Sequence, residues 1–336
     1  MRRILIDSEL KNKAENYSKN LFAGKRKDFK TPLDNLTKLK DDLGGSKHGK
    51  RKQYVQKIID NYNEILKASP SEMEEFIKQF STISKGGLLE STLTPSAKLK
   101  FHELIVSAMR YEELRNSEFR QFVNSSGIKT CVYCNSQLAI ISEISFYDKK
   151  KKRRKPKISA KFELDHYHSK SQYPFLCTSF YNLYPVCGNC NRAKSKLDIK
   201  FELYTDNPDK LDLFNFWIDD KMIIDYWLEK TPDLSKLKIH FQSIEGDYDL
   251  LNEYNKIFGI QGIYDTQNDV AEELLHKAKV YTNAYNKSLL KNFHDLFPDK
   301  NILEKLIIGN YANSSETFKR PMAKYTQDLA KQLGLI

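Results

Sequence analysis

Apolar positions along this chain recur mostly at helical spacing, and the period changes near the middle. In the first ninety residues Tyr54, Val55, Ile58, Ile59, Tyr62 and Leu66 form one helical stripe. It lies near basic clusters at Lys25-Arg26-Lys27 and Lys50-Arg51-Lys52. Ser69-Pro70-Ser71-Glu72 reads as a helix start, with a capping serine, proline in the first turn and glutamate three residues after the cap. Gly86-Gly87 closes that region, and residues 95–123 predict one long amphipathic helix that ends near Gly127. Residues 137–147 then alternate and are rich in isoleucine, which predicts a strand. Residues 158–165 predict its partner, and the seven consecutive basic residues 149–155 make the tip of a hairpin. A helix is expected from Asn191 to about residue 201. A second hairpin is expected from 213–218 and 222–228, around Asp219-Asp220-Lys221, and one more strand over 237–244. Helical spacing returns from Leu250, with 270–297 the longest run and 302–308 and 323–333 as closing helices. The fold class expected is α+β and mostly helical.

Length and charge narrow the picture. The chain has 336 residues, enough for about two domains, and 40% of them are apolar, enough for a real core. The pattern divides it into a basic helical region over 1–92, a central core over 93–211, and a hairpin plus helical region over 212–336. Lys+Arg 55 against Asp+Glu 44 leaves a net charge of +11. Such an excess suggests a polyanionic partner, because basic side chains displace counterions from phosphates; a soluble basic protein without that role fits the charge equally. The apolar run at the N-terminus is too short for a signal segment and nothing approaches a membrane span, so no membrane association is expected.

The five cysteines carry more information. Four form two C-x-x-C pairs, Cys131/Cys134 and Cys187/Cys190. That spacing lets two thiolates reach one ion at about 2.3 Å, and two such knuckles complete a tetrahedral site that suits zinc. Pairs of this kind indicate a metal in a reducing compartment, the cytoplasm, rather than disulfides. The long gap between the knuckles requires an inserted structure. Cys177 has no partner at ligand spacing and reads as a small core residue.

Between and after the knuckles stand Phe162-Glu163-Leu164-Asp165-His166, Tyr181-Asn182-Leu183 and Cys187-Gly188-Asn189-Cys190-Asn191, followed by Lys194 and Lys196. This set resembles the HNH, or ββα-metal, nuclease family. The resemblance is clearest over 115–200, is weaker downstream, and is not evident in the first ninety residues. Thr130-Cys131-Val132-Tyr133-Cys134-Asn135 and His168-Ser169-Lys170-Ser171-Gln172-Tyr173-Pro174 look like bacterial anti-phage members of the Septu and retron-linked kind, with Ser169 where those tend to have proline.

The resemblance implies two strands and a helix gripping a divalent cation beside structural zinc. It implies His166 as general base, Asp165 as a metal-binding carboxylate, and Asn182 as the residue that holds the histidine loop in shape. Asn191 stands where many members carry a metal-binding histidine. Its oxygen is a hard donor that favours Mg²⁺ or Mn²⁺. The implied activity is hydrolysis of DNA phosphodiesters in bacterial defence, beside an ATPase subunit, since this chain has no ATP motif of its own. Gly44-Gly45-Ser46-Lys47-His48-Gly49-Lys50-Arg51 imitates a phosphate loop, but Arg51 replaces the required Ser or Thr.

Candidate nucleic-acid contacts are Lys170, Lys194 and Lys196, with Lys151, Arg153 and Arg154 at the hairpin tip. His168 belongs either with these, as a phosphate contact or reserve base, or is a loop histidine held by backbone. The aromatics Phe214, Phe216, Trp217, Tyr226 and Trp227 fit core packing better than base stacking. Two rival functions remain at this level: a zinc-dependent subunit that binds nucleic acid without cutting it, and a stand-alone restriction endonuclease.

Overall fold

A computed structural model describes residues 1–115, 119, 123, 126–148, 153–195, 197–229 and 233–336, with backbone alone at 148, 153 and 155–158. The chain is α+β, mostly helical, with small two-stranded sheets. In chain order it runs through β1 (Ile4–Leu5), α1 (Ser8–Asn20), α2 (Pro32–Asp42), α3 (Gly49–Asp60), α4 (Tyr62–Lys67), α5 (Pro70–Ser81), α6 (Phe101–Ala108) and α7 (Tyr111–Glu113). The central part follows as β2 (Ile140–Asp148), β3 (Arg153–Lys161), β4 (Glu163–His166), β5 (Leu183–Val186), α8 (Gly188–Lys194) and β6 (Tyr204–Thr205). The last part comprises β7 (Phe214–Ile218), α9 (Asp220–Leu228), β8 (Ile239–Ser243), α10 (Tyr248–Phe258), α11 (Ile260–Asp265), α12 (Asn268–Val280), α13 (Asn283–Asn292), α14 (Lys300–Ile308) and α15 (Ala323–Gln332).

Local chemistry explains where these elements begin. Ser69 and Glu72 form the capping box of α5, and Pro70 fills its first turn. Thr31, Pro32 and Asp34 do the same for α2. The helix expected over 95–123 is instead interrupted, because Arg110 adopts a left-handed conformation at φ 60° between α6 and α7. The run 270–297 is likewise split, with Thr282 accepting from the Tyr285 amide to start α13. The helix after Asn191 stops at Lys194, where Ser195 takes φ 48°.

Two strand expectations need correction. The segment 158–165 divides between β3, which pairs with β2, and β4, which pairs with β5. Residues 222–228 form helix α9 rather than a strand. Asp219 accepts from the Lys221 amide as its cap, and β7 pairs with β8 instead.

The core runs through all three regions. β1 pairs in parallel with β6, joining Ile4 to Tyr204. Phe80 of α5 stacks on Phe175 at 4.0 Å between ring centroids, and Tyr54 of α3 meets both rings edge-on. Tyr17 of α1 donates to the Thr178 carbonyl at 2.8 Å. The N-terminal helices therefore pack against the loop that joins β4 to β5. Among the described residues, no helix is long and apolar enough to cross a membrane.

Candidate metal centre and histidine cleft

The two knuckles meet. The sulfurs of Cys131, Cys134, Cys187 and Cys190 lie within 4.8 Å of one another and are buried, so they could hold a metal such as zinc. Cys187 is also the N-cap of α8, accepting from the Cys190 amide at 3.5 Å, and Cys134 accepts from the Ser136 hydroxyl at 3.2 Å. Four buried thiols cannot all ionise without a countercharge. Burial pushes the Cys131 thiol up, while hydrogen bonds from Cys131 pull Cys134 and Cys187 down. A cation among the sulfurs would relieve that conflict.

The first knuckle is clamped by the C-terminal part of the chain. Tyr254 donates to the Tyr133 carbonyl at 2.6 Å, and Tyr264 to the Cys134 carbonyl at 2.9 Å. Asn135, at φ 52°, accepts from the Met322 amide on its backbone carbonyl and from the Lys324 amide on its side chain.

β4 and β5 run antiparallel, with Asp165 opposite Tyr184 and His166 opposite Leu183. The loop between them is held by Asn182, which is fully buried. Its Oδ1 accepts from the His168 amide at 2.7 Å, and its Nδ2 donates to the carbonyls of His168 and Leu176 at 3.1 and 2.9 Å. The same loop brings the Cys177 carbonyl to 3.0 Å from His166 Nε2. A carbonyl only accepts, so Nε2 carries the proton and Nδ1 keeps its lone pair. The ring packs on Tyr111 at 4.8 Å. Burial, and then the charge of Lys170, push the imidazole down to about 3, so it is neutral at ordinary pH.

His166 lines a cleft of about 1180 Å³ together with Asp165, Lys170, Asn191, Arg192 and Ser195. The opposite wall comes from α2, α6 and α7 and mixes signs, with Lys38 and Arg110 beside Asp42, Glu103, Glu112 and Glu113. Lys170 is exposed and stands over the Tyr111 ring at 4.6 Å.

Comparison of the chain with family models, with curated proteins and with solved structures gives no match.

Several expected positions differ from the sequence reading. Asp165 and Asn191 both line the cleft, but each is engaged by another side chain. Asp165 Oδ2 accepts from the Tyr133 hydroxyl at 2.6 Å, and the Lys194 ammonium stands 3.1 to 3.2 Å from both carboxylate oxygens. Burial pushes the Asp165 carboxyl up, against the pull of Lys194 and Tyr133. Asn191 Nδ2 donates to Glu163 at 2.6 Å. Lys194, expected to face nucleic acid, is instead only 2% exposed, because its ammonium is spent on Asp165 and on the His166 carbonyl at 2.8 Å. The backbone of His168 is held by the Asn182 side chain. Its ring faces Glu74 at 3.5 Å, and it is not among the residues lining the cleft.

Arg154 is exposed on β3, and Arg153 opens that strand. Lys151 and Lys196 lie outside the described residues. Cys177 sits in the core as expected, with burial pushing its thiol up to about 12. Phe214, Phe216 and Tyr226 are buried, as core packing requires.

Sequence reasoning passed over Tyr133, Glu163, Tyr111 and Arg192. Tyr133 had one local signal, its place inside the first knuckle. The other three become visible only when distant segments meet.

Proposed function

We propose that this chain is an HNH-type nuclease that hydrolyses DNA phosphodiester bonds, with His166 as the general base. The observation that carries the reading is the contact of His166 Nε2 with the Cys177 carbonyl at 3.0 Å. With Nε2–H donated to the Cys177 carbonyl, Nδ1 is the nitrogen left to take a proton from water at the wall of the cleft. Asn182 keeps that arrangement by holding the loop at three points. Lys170 and Arg192 supply positive charge for a phosphate beside the imidazole. A phosphate there would offset the charge of Lys170, which otherwise disfavours the imidazolium.

Zinc on the four cysteines is the structural part of this reading. Asp165, Asn191 and the nearby Glu163 are hard oxygen donors, of the chemistry that Mg²⁺ or Mn²⁺ requires. Such an ion would be held by Asp165 and Asn191, and would stabilise the charge that builds on the phosphate. Asp165 is available to it only if Lys194 gives way. The net charge of +11 fits a nucleic-acid partner. A role in bacterial defence beside an ATPase subunit follows from the sequence resemblance.

A second reading has one specific observation in its favour. Lys194 neutralises Asp165, which suits a subunit that binds nucleic acid without cutting it. Plasmid nicking in Mn²⁺, comparing the wild type with His166→Ala, separates the two. The nuclease reading expects a rate loss of about a hundredfold or more with DNA binding retained. Equal nicking by both proteins removes His166 from the chemistry, and no nicking by the wild type favours the binding subunit.

A further inference from the structure

The β2–β3 pair is a two-stranded ribbon that is covered on neither face from Glu143 outward. Its register runs from Ile140 opposite Lys161 to Asp148 opposite Arg153, nine residue pairs with no third strand among the described residues. Side chains alternate between the faces of a strand, so Ile144 and Phe146 share one face and Glu143, Ser145 and Tyr147 the other. All five are exposed, and so is Arg154 opposite Tyr147. Ile144, Phe146 and Tyr147 are 55%, 44% and 58% exposed, so the apolar side chains of both faces stand clear of the core. A two-stranded ribbon is marginally stable alone in water, which favours a partner that covers it.

β2 carries Glu143 and Asp148, whereas β3 carries Arg153, Arg154, Lys155, Lys157 and Lys161, so the ribbon is a net cation and a polyanion complements it. A strand of another protein does not, because the lysines and Pro156 of β3 disfavour addition of a third strand. Shape selects among polyanions. The major groove of B-form DNA is about 12 Å wide and admits a two-stranded β-ribbon, whereas that of an RNA duplex is too narrow for side chains to read. We propose that the β2–β3 ribbon enters the major groove of duplex DNA, with Tyr147 and Arg154 on the face that meets base edges. Arginine pairs there with O6 and N7 of guanine. The inference rests on the nuclease reading for its purpose and names the substrate, a B-form duplex. β3 ends at Lys161, and β4 runs from Glu163 to His166, so the ribbon is rooted beside the proposed base. Its nine residues, at about 3.4 Å each, reach roughly 30 Å, close to one turn of duplex. The phosphate presented to His166 therefore lies within about one turn of the base pairs that the ribbon meets.

The test is protection of guanine N7, which faces the major groove, from methylation by dimethyl sulfate. A short DNA duplex saturated with the full chain, without added divalent cation so that nothing is cut, should be methylated less than the free duplex. Replacing residues 143–158 with an Asn-Gly turn between the paired Ser142 and Ser159 should remove that protection. The wild type should bind the DNA duplex at least about tenfold more tightly than an RNA duplex of the same sequence. Failure to bind the DNA duplex, binding without N7 protection, protection that persists in the shortened chain, or equal affinity for the two duplexes each overturns the proposal.

If the shortened chain does not fold, Tyr147→Ser combined with Arg154→Ala decides, because both positions are exposed and leave the core untouched. This double variant should lose about tenfold in affinity for the DNA duplex and much less for the single strand. Equal losses on both would make the ribbon a source of charge alone and overturn groove entry. N7 protection without any nicking in Mn²⁺ would leave this inference standing and remove the nuclease reading, and nicking without protection would do the reverse.

Discussion

His166 is a buried titratable ring, and its burial makes stability depend on pH. Its ring is buried, so the protonated form is disfavoured and its pKa falls to about 3, while the unfolded chain has the ordinary value of about 6.5. The unfolded state therefore binds the extra proton first. The contribution of the neutral ring is fully present above about pH 6.5 and is lost as pH falls through that range toward 3. Between pH 7 and pH 5 the loss should be about 2 kcal/mol. Urea unfolding at the two pH values, compared with His166→Asn, checks this: the wild type should lose more stability than the variant, and parallel losses would mean the ring is solvated. Asn182 is an economical residue. One amide satisfies three backbone groups, and no side chain with fewer donors and acceptors can replace it.

At the scale of elements, the metal frame and the cleft share a wall. Cys187 caps α8, α8 carries Asn191 and Lys194, and the Tyr133 hydroxyl ties the first knuckle to Asp165 on β4. Removal of the metal should therefore loosen α8 and disturb the histidine cleft together. Stripping zinc with a strong chelator should lower the melting temperature by roughly 10 °C or more, and readdition of zinc should restore it. A calorimetric scan alongside a zinc assay measures both, and an unchanged transition in metal-free protein would show that the cysteines act only as core residues.

Much of this unit was legible in the chain. The C-x-x-C spacing announced the cage, whereas the single strand read over 158–165 divides between β3 and β4, because the two halves find different partners. The run after Asp219 was not legible as a helix, because Met222-Ile223-Ile224 suits either structure and the cap at Asp219 decides it. Nor was the burial of Lys194. Nothing in Asn191-Arg192-Ala193-Lys194 says which basic side chain turns inward, since that depends on a carboxylate 29 residues earlier.

The whole molecule closes around the first knuckle from its far end. Tyr254 of α10 and Tyr264 of α11 bond the carbonyls of Tyr133 and Cys134, and the start of α15 latches Asn135. β1 is held by β6, which lies beyond the second knuckle. A chain ending before Tyr248 should consequently purify with well under one zinc per protein, by atomic emission, while the full chain holds about one. Full occupancy of the shortened chain would show that the clamp is dispensable for the cage. The latch at residues 322–324 carries a consequence for timing. Until that stretch has left the ribosome tunnel, the sulfur cage lacks its last fastening, so a half-made chain leaves the first pair of thiols untethered on that side.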